Sequence, residues 1–158
     1  MRLLGRAGGN WTSMHRAHEI PASCNARRDA VGDASSMPIR CLVVDDSQSF
    51  LDAARSLLER EGLTIAGVAS TGAEALREAE RLRPDVVLLD ISLGDESGFD
   101  VARQLIADNK AGGATVILIS THSEADFADL IAESPAAGFV PKSELSASRV
   151  RKIFEESR

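Results

Sequence analysis

Five short apolar runs, each followed by a stretch with helical spacing, leave this chain few folds to choose from. The runs are Ile39 to Val44, Leu63 to Ala69, Asp85 to Asp90, Thr115 to Ser120 and Ala137 to Pro141. Their centres are continuously apolar, as in Cys41-Leu42-Val43-Val44 and Val86-Val87-Leu88-Leu89. Such strands are buried on both faces, which is the property of parallel sheets covered by crossover helices. The intervening segments supply the helices. Phe50, Leu51, Ala54, Leu57 and Leu58 share one face of the first. Thr71-Gly72-Ala73-Glu74 has the form of a capping box for the second, Ser97 and Ser123 stand as N-caps for the third and fourth, and Val150, Ile153 and Phe154 stripe the last. The alternation gives an α/β fold with right-handed crossovers, and five such units fit a doubly wound, five-stranded parallel sheet in the order 2-1-3-4-5.

Composition bounds what such a domain does. A chain of 158 residues, 44% of them apolar, forms one globular domain with its own core and leaves no room for a second large one. The net charge of -6 argues against a phosphate-backbone binder, so nucleic acid is not expected as a direct partner. Two cysteines, Cys24 and Cys41, make no disulfide framework and point to a reducing, cytoplasmic setting. No apolar run approaches the roughly 18 residues of a membrane span. Residues 1–36 lack apolar periodicity and carry five Arg against Glu19, Asp29 and Asp33, which reads as a disordered extension. Met37, followed by Pro38 and the first strand, then reads as the natural start, and residues 37–158 as the folded domain.

Chemistry-bearing residues fall at the carboxyl ends of the runs, where ligands bind in doubly wound sheets. Asp45 and Asp46 end strand 1, Asp90 ends strand 3, Ser120 and Thr121 end strand 4, and Lys142 follows strand 5. Adjacent strands lie about 4.8 Å apart, so the carboxylates of strands 1 and 3 converge. Two unit charges about 4 Å apart repel by about 4 kcal/mol at a protein surface. A trio of that kind takes up protons or holds a cation, and an all-oxygen donor set suits Mg²⁺, which shares its remaining positions with water and phosphate. Ser120 can offer a hydroxyl to a phosphoryl oxygen. Lys142, two strand spacings away, has the flexible arm needed to bring an ammonium to the same point. Asp90 between a metal and an ammonium is placed as a nucleophile toward phosphorus.

These motifs together, Asp45-Asp46, Leu-Leu-Asp-Ile-Ser-Leu around Asp90, Ile119-Ser120-Thr121 and Gly138-Phe139-Val140-Pro141-Lys142, resemble the receiver domain of two-component response regulators across residues 37–158. The resemblance implies a flavodoxin-like receiver fold. It implies that Asp90 accepts a phosphoryl group from the phosphohistidine of a sensor histidine kinase or phosphotransfer protein. It further implies that Asp45, Asp46, Asp90 and the main-chain carbonyl of Ser92 hold Mg²⁺, that Thr121 lines the phosphoryl pocket, and that Ser120 and Lys142 follow the phosphoryl group. Phe139 matches the aromatic whose rotamer reports the switch. Such a domain is a signalling module that catalyses only its own phosphorylation and dephosphorylation.

The chain departs from the family pattern at Gly94 and Ser143, where proline is common, and the second departure leaves the placement of Lys142 open. Plainer readings stand beside each role. The acidic pair can cap a helix, Lys142 can be a surface lysine, Ser120 can be a helix-entry cap, Phe139 can be core filling, Gly94-Asp95-Glu96 can be a solvated turn, and His122, at a position that in the family influences loss of the phosphoryl group, can be a plain surface histidine. An aspartyl-phosphate hydrolase of related fold is the competing enzyme reading, but such enzymes place a second aspartate where Ser92 stands. A phosphorylation-independent pseudo-receiver is the third. The expected molecule is a stand-alone response regulator whose output passes to another protein, to a phosphorylation-dependent homodimer, or back through a phosphorelay. The sequence does not rank these.

Overall fold

The computed structural model describes residues 38–107 and 112–158; the reading of residues 1–36 as a disordered extension lies outside them. The elements in chain order are β1 (Arg40–Val44), α1 (Gln48–Arg60), β2 (Thr64–Ala69), α2 (Gly72–Leu82), β3 (Val86–Asp90), α3 (Gly98–Ala107), β4 (Thr115–Ser120), α4 (Ala128–Glu133), β5 (Gly138–Pro141) and α5 (Ala147–Glu156). The five strands form one parallel sheet in the order β2-β1-β3-β4-β5. The expected topology is the observed one. Four strand starts differ from the apolar runs by one residue, and β4 begins at Thr115 as expected. Ile39, Asp85 and Ala137 each contribute a flanking bond, with Thr64 N–H donating to the Ile39 carbonyl, Asp85 N–H to Arg40 and Ala137 N–H to Val116.

Alternate side chains of each strand feed two separate cores. Leu42, Val44, Val87, Leu89, Val116, Leu118 and Phe139 face the side covered by Ala75 and Ala79 of α2 and by Val101, Ala102 and Leu105 of α3. Cys41, Val43, Val86, Leu88, Ile117, Ile119 and Val140 face Leu51, Ala54 and Leu58 of α1 and Ala147 and Val150 of α5. Beyond the half-buried Arg40 and Thr115 that open β1 and β4, both faces of β1, β3 and β4 are thus buried, which is why those strands are apolar without alternation.

The helix caps follow the sequence reading with two differences. Thr71 Oγ1 accepts the Glu74 N–H at 3.1 Å, but the Glu74 carboxylate reaches one residue further back and accepts from Ser70 N–H (2.8 Å) and Ser70 Oγ (3.0 Å). Ser97 Oγ accepts the Phe99 N–H at 3.2 Å, as expected of a cap. Ser123 does not cap α4. It opens a 3-10 turn over Glu124–Phe127, its N–H donating to Asp126 at 3.2 Å. Phe127, at φ -128° and ψ 22°, interrupts the helical run, so α4 begins at Ala128 and is six residues long.

Between β3 and α3 the chain forms a small antiparallel ribbon, Ser92–Leu93 against Glu96–Ser97, which the sequence reading did not anticipate. The ribbon brings the start of α3 back against the end of β3, and Gly98 N–H donates to the Ile91 carbonyl at 2.8 Å. A Cβ at Gly98 would lie 2.1 Å from the Asp90 carbonyl oxygen and 2.6 Å from Ile91 Cα, both rigid backbone atoms. Glycine there is a packing requirement of the site itself. Gly98→Ala is expected to cost about 2–3 kcal/mol in urea unfolding, with circular dichroism retaining the α/β signature; an unchanged midpoint would show that the β3 to α3 junction yields freely.

Candidate functional site

The residues singled out at the strand ends do converge. Carboxylate oxygens of Asp45, Asp46 and Asp90 all lie within 4.8 Å of one another. Asp45 is fully buried and Asp90 is 5% exposed, whereas Asp46 faces solvent. Local backbone bonds aim each group. Asp45 N–H donates to the Ala69 carbonyl of β2 at 3.0 Å, and Asp45 Oδ1 accepts the Ser47 N–H at 2.8 Å, which turns the chain into α1. Asp90 Oδ1 accepts the Ser92 N–H at 3.2 Å. Asp46 Oδ2 accepts the Gly94 N–H at 3.1 Å from the turn of the ribbon, where Gly94 sits at φ +59°.

Lys142 closes the cluster from the far side of the sheet. It starts a 3-10 turn, Lys142–Glu144, immediately after β5, and its ammonium reaches both Asp45 Oδ2 and, at 3.3 Å, Asp90 Oδ2. The reach is achieved with Ser143, not proline, following it. The same ammonium lies over the Phe50 ring of α1, 4.4 Å from its centroid.

The electrostatics follow from this crowding. Burial, with a smaller push from Asp45, raises the Asp90 carboxyl above its ordinary range, against the opposing Ser92 amide and Lys142 ammonium. Burial works against the Lys142 charge, but the hydrogen bond and charge of Asp45 together with those of Asp90 outweigh it, so its pKa rises. Asp45 Oδ2, among the described residues, is a buried side-chain oxygen without a well-directed hydrogen bond, although the ammonium touches it. Held by the ammonium alone, that oxygen keeps lone-pair capacity that a metal ion can use. Three oxygen donors from carboxylates, with no nitrogen or sulfur among them, fit a hard divalent cation such as Mg²⁺.

The other expected residues take distinct places. Ser120 is 2% exposed, one residue beyond the Ile119 that pairs with Asp90, and its Oγ accepts the His122 N–H at 3.0 Å while keeping its own hydrogen to donate. Thr121 follows it and is exposed, outside the carboxylate cluster. Phe139 is 7% exposed and belongs to the core on the α2 and α3 side. The His122 ring packs edge-on against Phe127 at 5.6 Å. Sequence reasoning missed two contributors, Phe50 beneath the lysine and the Gly94 amide on Asp46, and it left the partner of Glu96 open. The Glu96 carboxylate accepts the Gly72 N–H at 3.3 Å, so it serves the start of α2 and does not join the acidic cluster. The unpaired amides at the head of α2 attract such a carboxylate.

Comparison with known proteins places this arrangement. Residues 41–154 match the response regulator receiver domain, and the chain belongs to that family. Among curated relatives, it is 32% identical over 116 residues to the response regulator GacA of Pseudomonas viridiflava, covering 73% of this chain and 53% of that protein. It is 37% identical over 119 residues to protein-glutamate methylesterase/protein-glutamine glutaminase 5 of Myxococcus xanthus, covering 75% of this chain and 33% of that protein. The chain spans about half, or less, of the length of these relatives. Among solved structures, a LuxR-family two-component response regulator from Aurantimonas superposes with a TM-score of 0.66 at 26% identity, covering 77% of this chain and 85% of that one. A CheY-like receiver domain protein from Methanospirillum hungatei does so with a TM-score of 0.62 at 25% identity, covering 76% and 94%. The domain is thus a signalling module of two-component systems, of a family that typically binds Mg²⁺ at an acidic cluster. No helix among the described residues is long and apolar enough to cross a membrane.

The raised Asp90 carboxyl carries a sign for stability. A group that binds its proton more tightly folded than unfolded favours the folded state at low pH, and that contribution is lost as pH rises through its folded value. Ionised Asp90 therefore burdens the metal-free fold at neutral pH. Asp90→Asn is expected to stabilise the metal-free protein at neutral pH, where Lys142 keeps Asp45 as its partner, the gain shrinking as pH falls through the carboxylate range. Thermal melts in chelator across that range check it, and a destabilised neutral-pH variant would contradict it.

Proposed function

We propose that Asp90 accepts a phosphoryl group from the phosphohistidine of a sensor kinase or phosphotransfer protein, and that the aspartyl phosphate controls which proteins the domain contacts. The single observation that carries this reading is the Lys142 ammonium lying 3.3 Å from the Asp90 carboxylate beside Asp45 and Asp46. An Asp90 oxygen forms the new bond to phosphorus, the phosphorus–nitrogen bond to the imidazole breaks, and the imidazole leaves with the bonding pair. Asp45, Asp46, Asp90 and the main-chain carbonyl of Ser92 would hold Mg²⁺, which supplies charge neutralisation when bound. Lys142 supplies a further positive charge at the transferring oxygens, and the buried Ser120 hydroxyl supplies a hydrogen bond.

The switch is an electrostatic event. A phosphoryl group brings roughly 1.5 to 2 negative charges and three strong acceptors, and these compete with Asp45 for the Lys142 ammonium. Movement of Ser120 and Lys142 toward them pulls on the β4 and β5 ends, where Thr121 borders the pocket and Phe139 sits in the core. Reversing a 1:99 equilibrium takes about 5.5 kcal/mol of differential interaction, which a few charge-assisted hydrogen bonds approach. Turnover of external phosphate esters is not part of this reading, because the position two residues past Asp90 holds Ser92, whose amide orients the nucleophile.

Phosphoramidate or acetyl phosphate with Mg²⁺ is expected to add the mass of one phosphoryl group, labile in alkali. Asp90→Ala should take none, and Lys142→Ala should react about a hundredfold more slowly. An adduct of equal yield in Asp90→Ala would refute the assignment.

A further inference from the structure

Phe50 has a second neighbour besides the core it borders. It lies in the first turn of α1, with its N–H held by the Ser47 cap at 3.3 Å, so the same turn that follows Asp45 and Asp46 presents the aromatic ring. That ring lies 4.4 Å from the Lys142 ammonium. The ammonium is enclosed by Asp45 Oδ2, by Asp90 Oδ2 and by this aromatic face, and the lysine side chain is only 14% exposed. Burial of an apolar surface would be served as well by leucine. An aromatic face differs because its quadrupole attracts a cation, more strongly where water is excluded.

The need for that face follows from how Asp45 is used. Its Oδ1 accepts the Ser47 amide and its Oδ2 meets the Lys142 ammonium, so both oxygens are engaged. A divalent cation held at the carboxylate cluster would draw on Asp45 and weaken its hold on the lysine. The Phe50 ring offers no oxygen to a metal and keeps its attraction for the ammonium when Asp45 is diverted. We propose that Phe50 is a positioning residue that holds the Lys142 ammonium beside Asp90 through a cation–π contact while the metal occupies Asp45. It takes the place of any constraint that a proline after Lys142 would supply, since Ser143 stands there. The proposal rests on the phosphoacceptor reading for its consequence, and on the ring contact for its premise.

Two measurements test it. In NMR spectra, the Lys142 Hε signals, assigned by their loss in Lys142→Arg, are expected upfield of the other lysines, to stay there in Mg²⁺, and to return to ordinary positions in Phe50→Leu. In phosphorylation by phosphoramidate at saturating Mg²⁺, Phe50→Leu is expected to react about tenfold more slowly, with Phe50→Tyr and Phe50→Trp near wild type and Mg²⁺ affinity unchanged in all. Progressive fluorination of Phe50, which keeps shape and drains the quadrupole, should slow the reaction stepwise. Ordinary Hε positions, upfield shifts abolished by Mg²⁺, a wild-type rate in Phe50→Leu, or indifference to fluorination would each overturn the proposal. If the wild-type protein itself accepted no phosphoryl group, the phosphoacceptor reading would fall, and the Hε shifts would still decide whether the ring holds the lysine.

Discussion

Mutual repulsion among three carboxylates at the ends of two adjacent strands sets the terms for everything around them. With oxygens within 4.8 Å of one another, each pair of ionised groups repels by about 3.5 kcal/mol at an effective dielectric of about 20, and burial of Asp45 and Asp90 removes the water that would otherwise screen them. The fold tolerates this because a lysine from the far strand reaches across the sheet, and because backbone amides of Ser47, Ser92 and Gly94 each donate to one of the three. The compensation is partial. Asp45 Oδ2 is met by the lysine alone and the Asp90 carboxyl is pushed upward, so the site favours the arrival of positive charge.

The rest of the domain reads as the frame for that tension. Both faces of β1, β3 and β4 are sealed by helices, which fixes the strand ends to within the tolerance of a packed core. Gly98 lets α3 start directly against the Asp90 backbone, and the ribbon between them delivers the Gly94 amide to Asp46. Opposite these fixed parts stands the β4 to α4 region, where Ser120 is buried but Thr121 through Asp126 are exposed and α4 is short, with none of its residues buried. Rigid chemistry beside a lightly packed segment is the arrangement a two-state response needs.

Much of this was readable from residue order. Continuous apolar runs separated by helical spacing demanded a parallel sheet, the right-handed crossover rule pruned its arrangements to a few, and the polar residues at the strand ends fitted the order observed. Asp45, Asp46, Asp90 and Lys142 stood out because polar groups at the ends of buried strands have no packing reason to be there. What stayed hidden depended on contacts far apart in the chain. Phe50 looked like one apolar position among five on a helix face, and nothing local shows that its ring meets a lysine more than 90 positions away. Glu96 looked like part of an acidic turn, and its partner, the Gly72 amide, lies 24 residues earlier. Ser123 had the chemistry of a cap, but the backbone at Phe127 decided where α4 began.

A carboxylate trio in this state should bind a divalent cation whether or not any phosphoryl donor is present, and that makes metal binding the most direct test. Calorimetric titration of the metal-free protein with Mg²⁺ is expected to give saturable one-to-one binding in the millimolar range or tighter, weakened at least tenfold in Asp46→Asn. Absence of saturable heat at tens of millimolar Mg²⁺, or equal affinity in Asp46→Asn, would contradict the account.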